Sequence, residues 1–224
     1  MELVACCDTF YEVVENTARD LYIKALKDLP PDVRHALAEA RKKETAAIAK
    51  ETLNIILKNI EIADKESMLI CSDTGIPIYW VSIGTLLQVD GAKLGKALVR
   101  GARRATVEHP FRSSVCSPLS RKNPQDSTGY RIPVIHYDFI EDGQCLELLM
   151  IPKGSGSENM SFLKMLVPAD GIAGVKKFII DSVVEAGGKP CPPGVVGVGI
   201  GGTADLAVIL AKKAISRPVG SSNP

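Results

Sequence analysis

The chain has 224 residues, a formal net charge of +1, 46% hydrophobic residues and 5% aromatic residues. This length and apolar content suffice for a substantial core, whereas the near-neutral charge and scarce aromatics exclude an extended nucleic-acid surface. No apolar stretch is long enough to cross a membrane and no basic leader opens the chain, so we expect a cytoplasmic protein that binds neither membrane nor nucleic acid.

The first part of the chain is predicted to be mainly helical. Apolar residues recur there with the helical period of 3.6, and two consecutive prolines, Pro30 and Pro31, interrupt the pattern. The predicted helices cover residues 10–27, 33–43 and 45–62.

From residue 67 onward the pattern mixes strands and helices. A strand is predicted over 76–83 and a helix over 94–107, and two apolar runs within 131–152 flank Glu-Asp-Gly, which is typical of a hairpin. A helix over 171–186, a buried strand over 194–200 and a helix over 203–215 follow. We therefore expect a mixed α/β fold in one domain, residues 1–224, with a helical part (1–66) and a mixed part (67–224) that carries Gly-rich loops.

Three polar loops are candidates for a functional site, because irregular segments next to apolar structure often carry function. In Cys71-Ser72-Asp73-Thr74-Gly75, Asp73 has the chemistry to orient a substrate or transfer a proton, although the same residues also form an ordinary turn. The loop that starts at Lys153 offers glycine N–H groups and a cation to an anion, and a flexible connector is the alternative.

The third loop contains Gly197, Gly199 and Gly202, which satisfy the dinucleotide-binding spacing G-x-G-x-x-G. That motif normally lies in a βαβ unit with an acidic residue about 20 positions further on, and the sequence offers neither. We therefore interpret the glycine turn as an anion-binding loop and set a nicotinamide cofactor aside.

Six cysteines occur without any C-x-x-C pair, and each is by default a small buried hydrophobic residue. Cys191 differs because Pro190, Pro192 and Pro193 surround it and restrict the backbone, which suits a ligand. Cys71 and Cys191 by themselves do not define a metal site.

Taken in order, four segments resemble the α-subunit region of iron–sulfur class I fumarases and L-tartrate dehydratases. They are CSDTGIP (71–77), FRSSVCSPLSRKN (111–123), IPKGSGSENMSFLKML (151–166) and PCPPGVVGVGIGGTAD (190–205). The resemblance implies a hydro-lyase with a [4Fe–4S] cluster, which adds water to or removes water from a small dicarboxylate, either fumarate/malate or tartrate/oxaloacetate.

The resemblance also implies roles for individual residues. Cys71 and Cys191 match cluster ligands, and Asp73 matches an acidic residue expected to act at the substrate. Serines replace residues common in the family at two positions, Ser72 for glutamine and Ser155 for glycine. The implied substrate-binding residues are Ser72, Arg112, Lys153, Gly154, Gly156, Ser157, Gly202 and Thr203.

The third cluster cysteine of the family lies beyond the position that matches Pro224. The resemblance therefore implies either a fragment or one component of a homo- or hetero-oligomer in which a β-type partner subunit completes the site. The catalytic base is also expected on the β-type part. A non-catalytic scaffold or regulatory subunit of such a complex is the alternative, and a nucleotide-binding protein that uses the glycine turns is a third possibility. The sequence leaves fumarate and tartrate both open.

Overall fold

A computed structural model describes residues 8–191 and 194–222. These residues divide into two compact units. Unit 1 comprises residues 8–29 and 54–155, and unit 2 comprises residues 30–53 and the described residues from 156 onward.

The three helices predicted at the start of the chain are confirmed. In the first helix, apolar side chains spaced three or four residues apart form one buried ridge, from Tyr11 to Leu26. The two prolines, Pro30 and Pro31, separate the first helix from the second because Pro31 fits only the first turn of a helix. The helices are α1 (Asp8–Lys27), α2 (Pro31–Lys43) and α3 (Ala47–Glu66).

Unit 1 contains a three-stranded sheet whose strand order is β2-β1-β3. Its strands are β1 (Ile76–Gly84), β2 (Val134–Ile140) and β3 (Leu146–Lys153). Strand β1 runs parallel to β2 and antiparallel to β3.

The mixed α/β class is therefore confirmed, whereas the predicted hairpin is wrong. The two strands around Glu-Asp-Gly form, but β1 lies between them and pairs with both. The run from Pro77 to Val81 is buried throughout, so β1 suits the central position, while β2 and β3 are partly exposed and suit the edges.

One face of the sheet is covered by α1 and by α4 (Gly91–Glu108), which connects the parallel strands β1 and β2. The Asp90 carboxylate begins α4 by accepting hydrogen bonds from the backbone N–H groups of Ala92 and Lys93, at 2.8 and 3.1 Å. The fully buried core residues of α1, β1 and α4 are Ala18, Tyr22, Tyr79, Val81, Leu94, Ala97, Leu98, Ala102 and Ala105.

In unit 2 the predicted helices near 171–186 and 203–215 are confirmed. Besides α2 and the start of α3, unit 2 contains most of the short α5 (Ser155–Glu158), which begins at the last residue of unit 1, a 3-10 turn (Pro168–Asp170), α6 (Gly171–Ala186) and α7 (Ala204–Ala214).

The strand predicted over 194–200 is wrong, because this segment is irregular and largely exposed. It lies against α7 instead of a strand: a Cβ at Gly197 or Gly199 would come within 2.0 Å of the carbonyl oxygen of Ala211 or Ala207, respectively. The two glycines allow this close contact because they carry no Cβ.

Among the described residues, no helix is both long enough and apolar enough to cross a membrane.

Candidate functional site

The loop from Cys71 to Gly75 leads directly into β1. Its last residue, Gly75, determines how closely the loop approaches β3. Gly75 has φ +68°, and a Cβ there would lie 2.8 Å from backbone atoms of Lys153. Only glycine meets both requirements without strain. The end of β3 and the start of β1 are therefore held in close contact at the base of this loop.

Asp73 joins three segments of unit 1 through its carboxylate. Its Oδ1 accepts hydrogen bonds from the backbone N–H of Gly75 at 3.1 Å and from the Ser114 hydroxyl at 3.4 Å. Its Oδ2 accepts from the backbone N–H of Ser155 at 3.1 Å and from the Ser155 hydroxyl at 3.4 Å. Four donors thus fix the orientation of a half-buried carboxylate.

Thr74 connects the same loop to the segment that carries Arg112. The Thr74 hydroxyl donates a hydrogen bond to the Arg112 carbonyl at 2.6 Å, and Thr74 is fully buried. The hydroxyl of Tyr22 in α1 donates to the carbonyl oxygens of Thr74 at 3.1 Å and of Gly75 at 3.2 Å. The candidate site is therefore attached to the core of unit 1.

The Cys71 thiol is free and exposed. Its sulfur accepts a hydrogen bond from the backbone N–H of Asp73 at 3.4 Å. Hydrogen bonds to the sulfur atoms are typical of cysteines that ligate iron–sulfur clusters.

The predicted substrate-binding residues of unit 1 surround this loop. Lys153 is the last residue of β3, and its ammonium group donates to the Gly154 carbonyl at 3.3 Å. A Cβ at Gly154 would lie 3.2 Å from Asp73 Oδ2, so glycine leaves room for the carboxylate. Ser72 and Arg112 are exposed, and Arg112 lies in an irregular segment.

The remaining predicted site residues lie in unit 2. Gly156 and Ser157 are in α5, and Cys191 is a free, exposed thiol. Gly202 has φ +72°, and Thr203 occupies the N-cap position of α7. A hydrogen bond with the Thr203 side chain lowers the pKa of Asp205 below its usual value. The predicted site residues are thus divided between the two units.

Metal-binding side chains do not cluster within the part of the chain that the structure describes: no three histidine, cysteine or acidic side chains there surround a common point. Cys71 and Cys191 supply the thiol chemistry that an iron–sulfur cluster requires. The other described cysteines, Cys116 and Cys145, are also free, while Cys6 and Cys7 lie outside the described residues.

Sequence reasoning missed four residues that shape the site: Tyr22, Thr74, Ser114 and Ser155. Ser114 and Ser155 lie within motifs that had been singled out, so a search for hydroxyl donors near Asp73 would have found them. Tyr22 carries no such signal, because 52 positions separate it from Thr74.

Comparison with known proteins gives the family. The model of the family described as fumarate hydratase (Fumerase) matches residues 15–224. The chain belongs to the fumarate hydratase family. It is an α-type chain of this hydro-lyase family, as its relatives also indicate.

One relative is the putative L(+)-tartrate dehydratase subunit alpha of Methanocaldococcus jannaschii, which is 44% identical over 209 residues, or 92% of this chain and 73% of the relative. The L(+)-tartrate dehydratase alpha subunits of Escherichia coli K12 and Shigella sonnei are each 30% identical over 196 residues, or 88% of this chain. The chain spans 64% of the length of these two enterobacterial relatives.

Proposed function

We propose that this chain is the α-type component of a [4Fe–4S]-dependent hydro-lyase that adds water to, or removes water from, a small dicarboxylate. The observation that carries the proposal is the set of hydrogen bonds around Asp73 in unit 1. There, the Asp73 carboxylate is held by Ser114 and Ser155, which are close in sequence to Arg112 and Lys153, and the Asp73 backbone N–H donates to the Cys71 sulfur. Membership in the fumarate hydratase family supports the reaction class.

The candidate substrates are fumarate or malate on one side and tartrate or oxaloacetate on the other. The names of the relatives make L(+)-tartrate the first substrate to assay. Both pairs present two carboxylates, so the same cationic residues would serve either reaction.

The residues that would hold the cluster are Cys71 and Cys191, with a third thiolate from outside the described residues. When bound, the cluster supplies an open iron that acts as a Lewis acid on the substrate hydroxyl. The N–H···S bond from the backbone of Asp73 would orient the Cys71 sulfur for this task.

The protein's own residues bind and orient the dicarboxylate. The Arg112 guanidinium matches the geometry of a carboxylate through two parallel hydrogen bonds, and Lys153 adds a positive charge. The backbone N–H groups of Gly154, Gly156 and Ser157, and those at Gly202 and Thr203, suit carboxylate oxygens.

Asp73 would accept a hydrogen bond from the substrate or transfer a proton, because its oxygens are already oriented by donors on both sides. Orientation of this kind lowers the entropic cost of reaching the reactive geometry.

A β-type subunit would complete the site with the third thiolate and the catalytic base. The alpha-subunit names of the relatives support a multi-subunit assembly. Full activity is therefore expected only from the complex.

The test is anaerobic iron–sulfide reconstitution of the chain with its β-type partner, followed by visible absorption and by tartrate and fumarate assays. Cys71→Ser and Cys191→Ser are each expected to abolish the cluster absorption and turnover, because a serine hydroxyl is a poor substitute for a thiolate. Cys145→Ser, which removes another exposed free thiol, is the matched control and should retain both.

Two results would contradict the proposal. Retention of cluster and activity in both serine variants would remove Cys71 and Cys191 from the site. A stable complex of wild-type chains with neither cluster nor turnover would favour the scaffold or regulatory role instead.

A further inference from the structure

We propose that Thr74 is a positioning residue that places Arg112 for carboxylate binding, and that Tyr22 anchors Thr74 to the core. This inference rests on the proposed function, in which Arg112 binds a substrate carboxylate. All three residues belong to unit 1.

The polar groups of Thr74 link two other segments. Its hydroxyl donates to the Arg112 carbonyl at 2.6 Å, and its carbonyl accepts from the Tyr22 hydroxyl at 3.1 Å. Thr74 has no solvent exposure, so water cannot replace either partner without a local opening. Thr74 therefore links α1 to the backbone of Arg112 through two hydrogen bonds, one at its carbonyl and one at its hydroxyl.

Tyr22 is a rigid anchor for this link. Its side chain is fully buried within the ridge of α1, and burial raises the pKa of its hydroxyl to about 12. The hydroxyl is therefore protonated at neutral pH and remains a donor. The Tyr22 ring also packs against Phe111, with ring centroids 5.1 Å apart, so both Arg112 and the residue before it are tied to α1.

Arg112 needs such an attachment because its own segment is irregular and its side chain is exposed. A guanidinium binds a carboxylate through two parallel hydrogen bonds only when its plane and position are correct. The bond from Thr74 fixes the carbonyl of Arg112, which is bonded to the α-carbon that carries the long side chain. Loss of this bond would leave Arg112 present but less well placed.

Thr74→Val keeps the shape of Thr74 and removes its hydroxyl, so it is the direct test in the reconstituted complex. We expect the KM for the dicarboxylate, and the Kd of a non-reacting dicarboxylate such as succinate, to rise about tenfold, with a smaller change in kcat. Thr74→Ser retains the donor and should restore wild-type binding.

Thr106→Val is the matched control. Thr106 is also a buried threonine, and its hydroxyl donates to the Ala102 carbonyl at 3.0 Å within α4. Thr106→Val removes a threonine hydroxyl just as Thr74→Val does, and it should leave KM and Kd unchanged. Tm measurements on every variant show whether a change in affinity merely follows a loss of stability.

A double-mutant cycle separates positioning from a general structural effect. In an Arg112→Ala background, Thr74→Val should cause no further rise in Kd, because the group it positions is gone. Tyr22→Phe, which retains the ring and deletes the hydroxyl, should raise KM in the same direction. If Thr74→Val does not fold, Tyr22→Phe serves as the test in its place.

The outcomes distinguish this inference from the proposed function. If the wild-type complex neither binds nor converts any dicarboxylate, the proposed function is wrong and the positioning role falls with it. If Arg112→Ala weakens binding but Thr74→Val binds like wild type, the positioning role alone is overturned. An equal effect of Thr74→Val with and without Arg112 overturns it as well.

Discussion

At the scale of single residues, the candidate site depends on Gly75. Its φ of +68° lies in the left-handed region, and its α-carbon approaches the backbone of Lys153 closely. Both features bring Asp73 within reach of Ser155, because the loop must turn back against the end of β3. The glycine thus connects the local backbone conformation with the geometry of the site.

Gly75→Ala is expected to destabilise the protein by about 1–3 kcal/mol, through backbone strain and through the contact with Lys153. Urea unfolding monitored by circular dichroism measures the loss. Gly201→Ala is the control, since Gly201 also has a positive φ of +85° but no neighbour within 4 Å of a Cβ. An equal cost for the two variants would show that the contact with Lys153 contributes nothing.

At the scale of elements, the α1–α4 pair supports the loop through Tyr22. The two helices pack closely, since a Cβ at Gly101 would lie 2.6 Å from the Glu15 carbonyl. Ion pairs of Glu15 with Arg100 at 2.5 Å and with Arg104 at 3.1 Å join the helices at their surface. Burial opposes ionisation of Glu15, but hydrogen bonds from both arginines outweigh it and hold the pKa of its carboxyl below the usual value of 4.5.

Glu15→Gln should therefore lower the free energy of unfolding by about 1 kcal/mol at neutral pH, the usual scale for a partly exposed ion-pair network. A lowered carboxyl pKa stabilises the fold above the unfolded-state pKa, and this contribution disappears as the pH falls through the folded-state pKa. The difference between wild type and variant should accordingly shrink as the pH falls below 4.5 and through the lowered pKa of Glu15.

Urea unfolding across this pH range provides the measurement, with Glu12→Gln, an exposed neighbour on α1, as the control. A difference that persists in acid would mean that the Glu15 carboxylate stabilises the fold by packing instead of charge.

At the scale of the whole molecule, the two units differ in how much apolar surface they bury. Unit 1 contains the core of α1, α4 and the sheet, whereas Leu37 is the one residue of unit 2, among those the structure describes, that is buried. Helices α6 and α7 contain no buried residue, and apolar side chains such as Ile172 and Val184 are about three-quarters exposed. Fewer buried contacts imply easier local opening.

Amide hydrogen exchange followed by mass spectrometry should therefore be faster in α6 and α7 than in α4 and β1, by about a hundredfold in the isolated chain. If a β-type subunit completes the protein as proposed, its addition should slow exchange in α6 or α7 and leave α4, the internal reference, unchanged. Equal protection of the two units in the isolated chain would contradict this view of their stability.

The sequence by itself determined the elements whose cause is local. Helical periodicity and the prolines Pro30 and Pro31 marked α1, α2 and α3, and the four motifs identified the family that the comparison confirms. The candidate site residues were predicted from loops rich in glycine, serine and charged residues, because such loops have a distinct composition. The roles assigned to Asp73, Arg112 and the cysteines remain predictions.

Only the tertiary structure decided which segments meet. The apolar runs around Glu-Asp-Gly predict a hairpin, because a turn signal concerns only neighbouring residues. In the structure, β1 lies between the two strands and pairs along its length with each of them. The segment of residues 194–200 has the composition of a buried strand, yet its glycines pack on α7. Likewise, the bonds of Asp73 with Ser114 and Ser155 and the bond from Thr74 to Arg112 join residues 38 to 82 positions apart. Local composition does not encode these contacts, because they form only when the core of unit 1 brings the loops together.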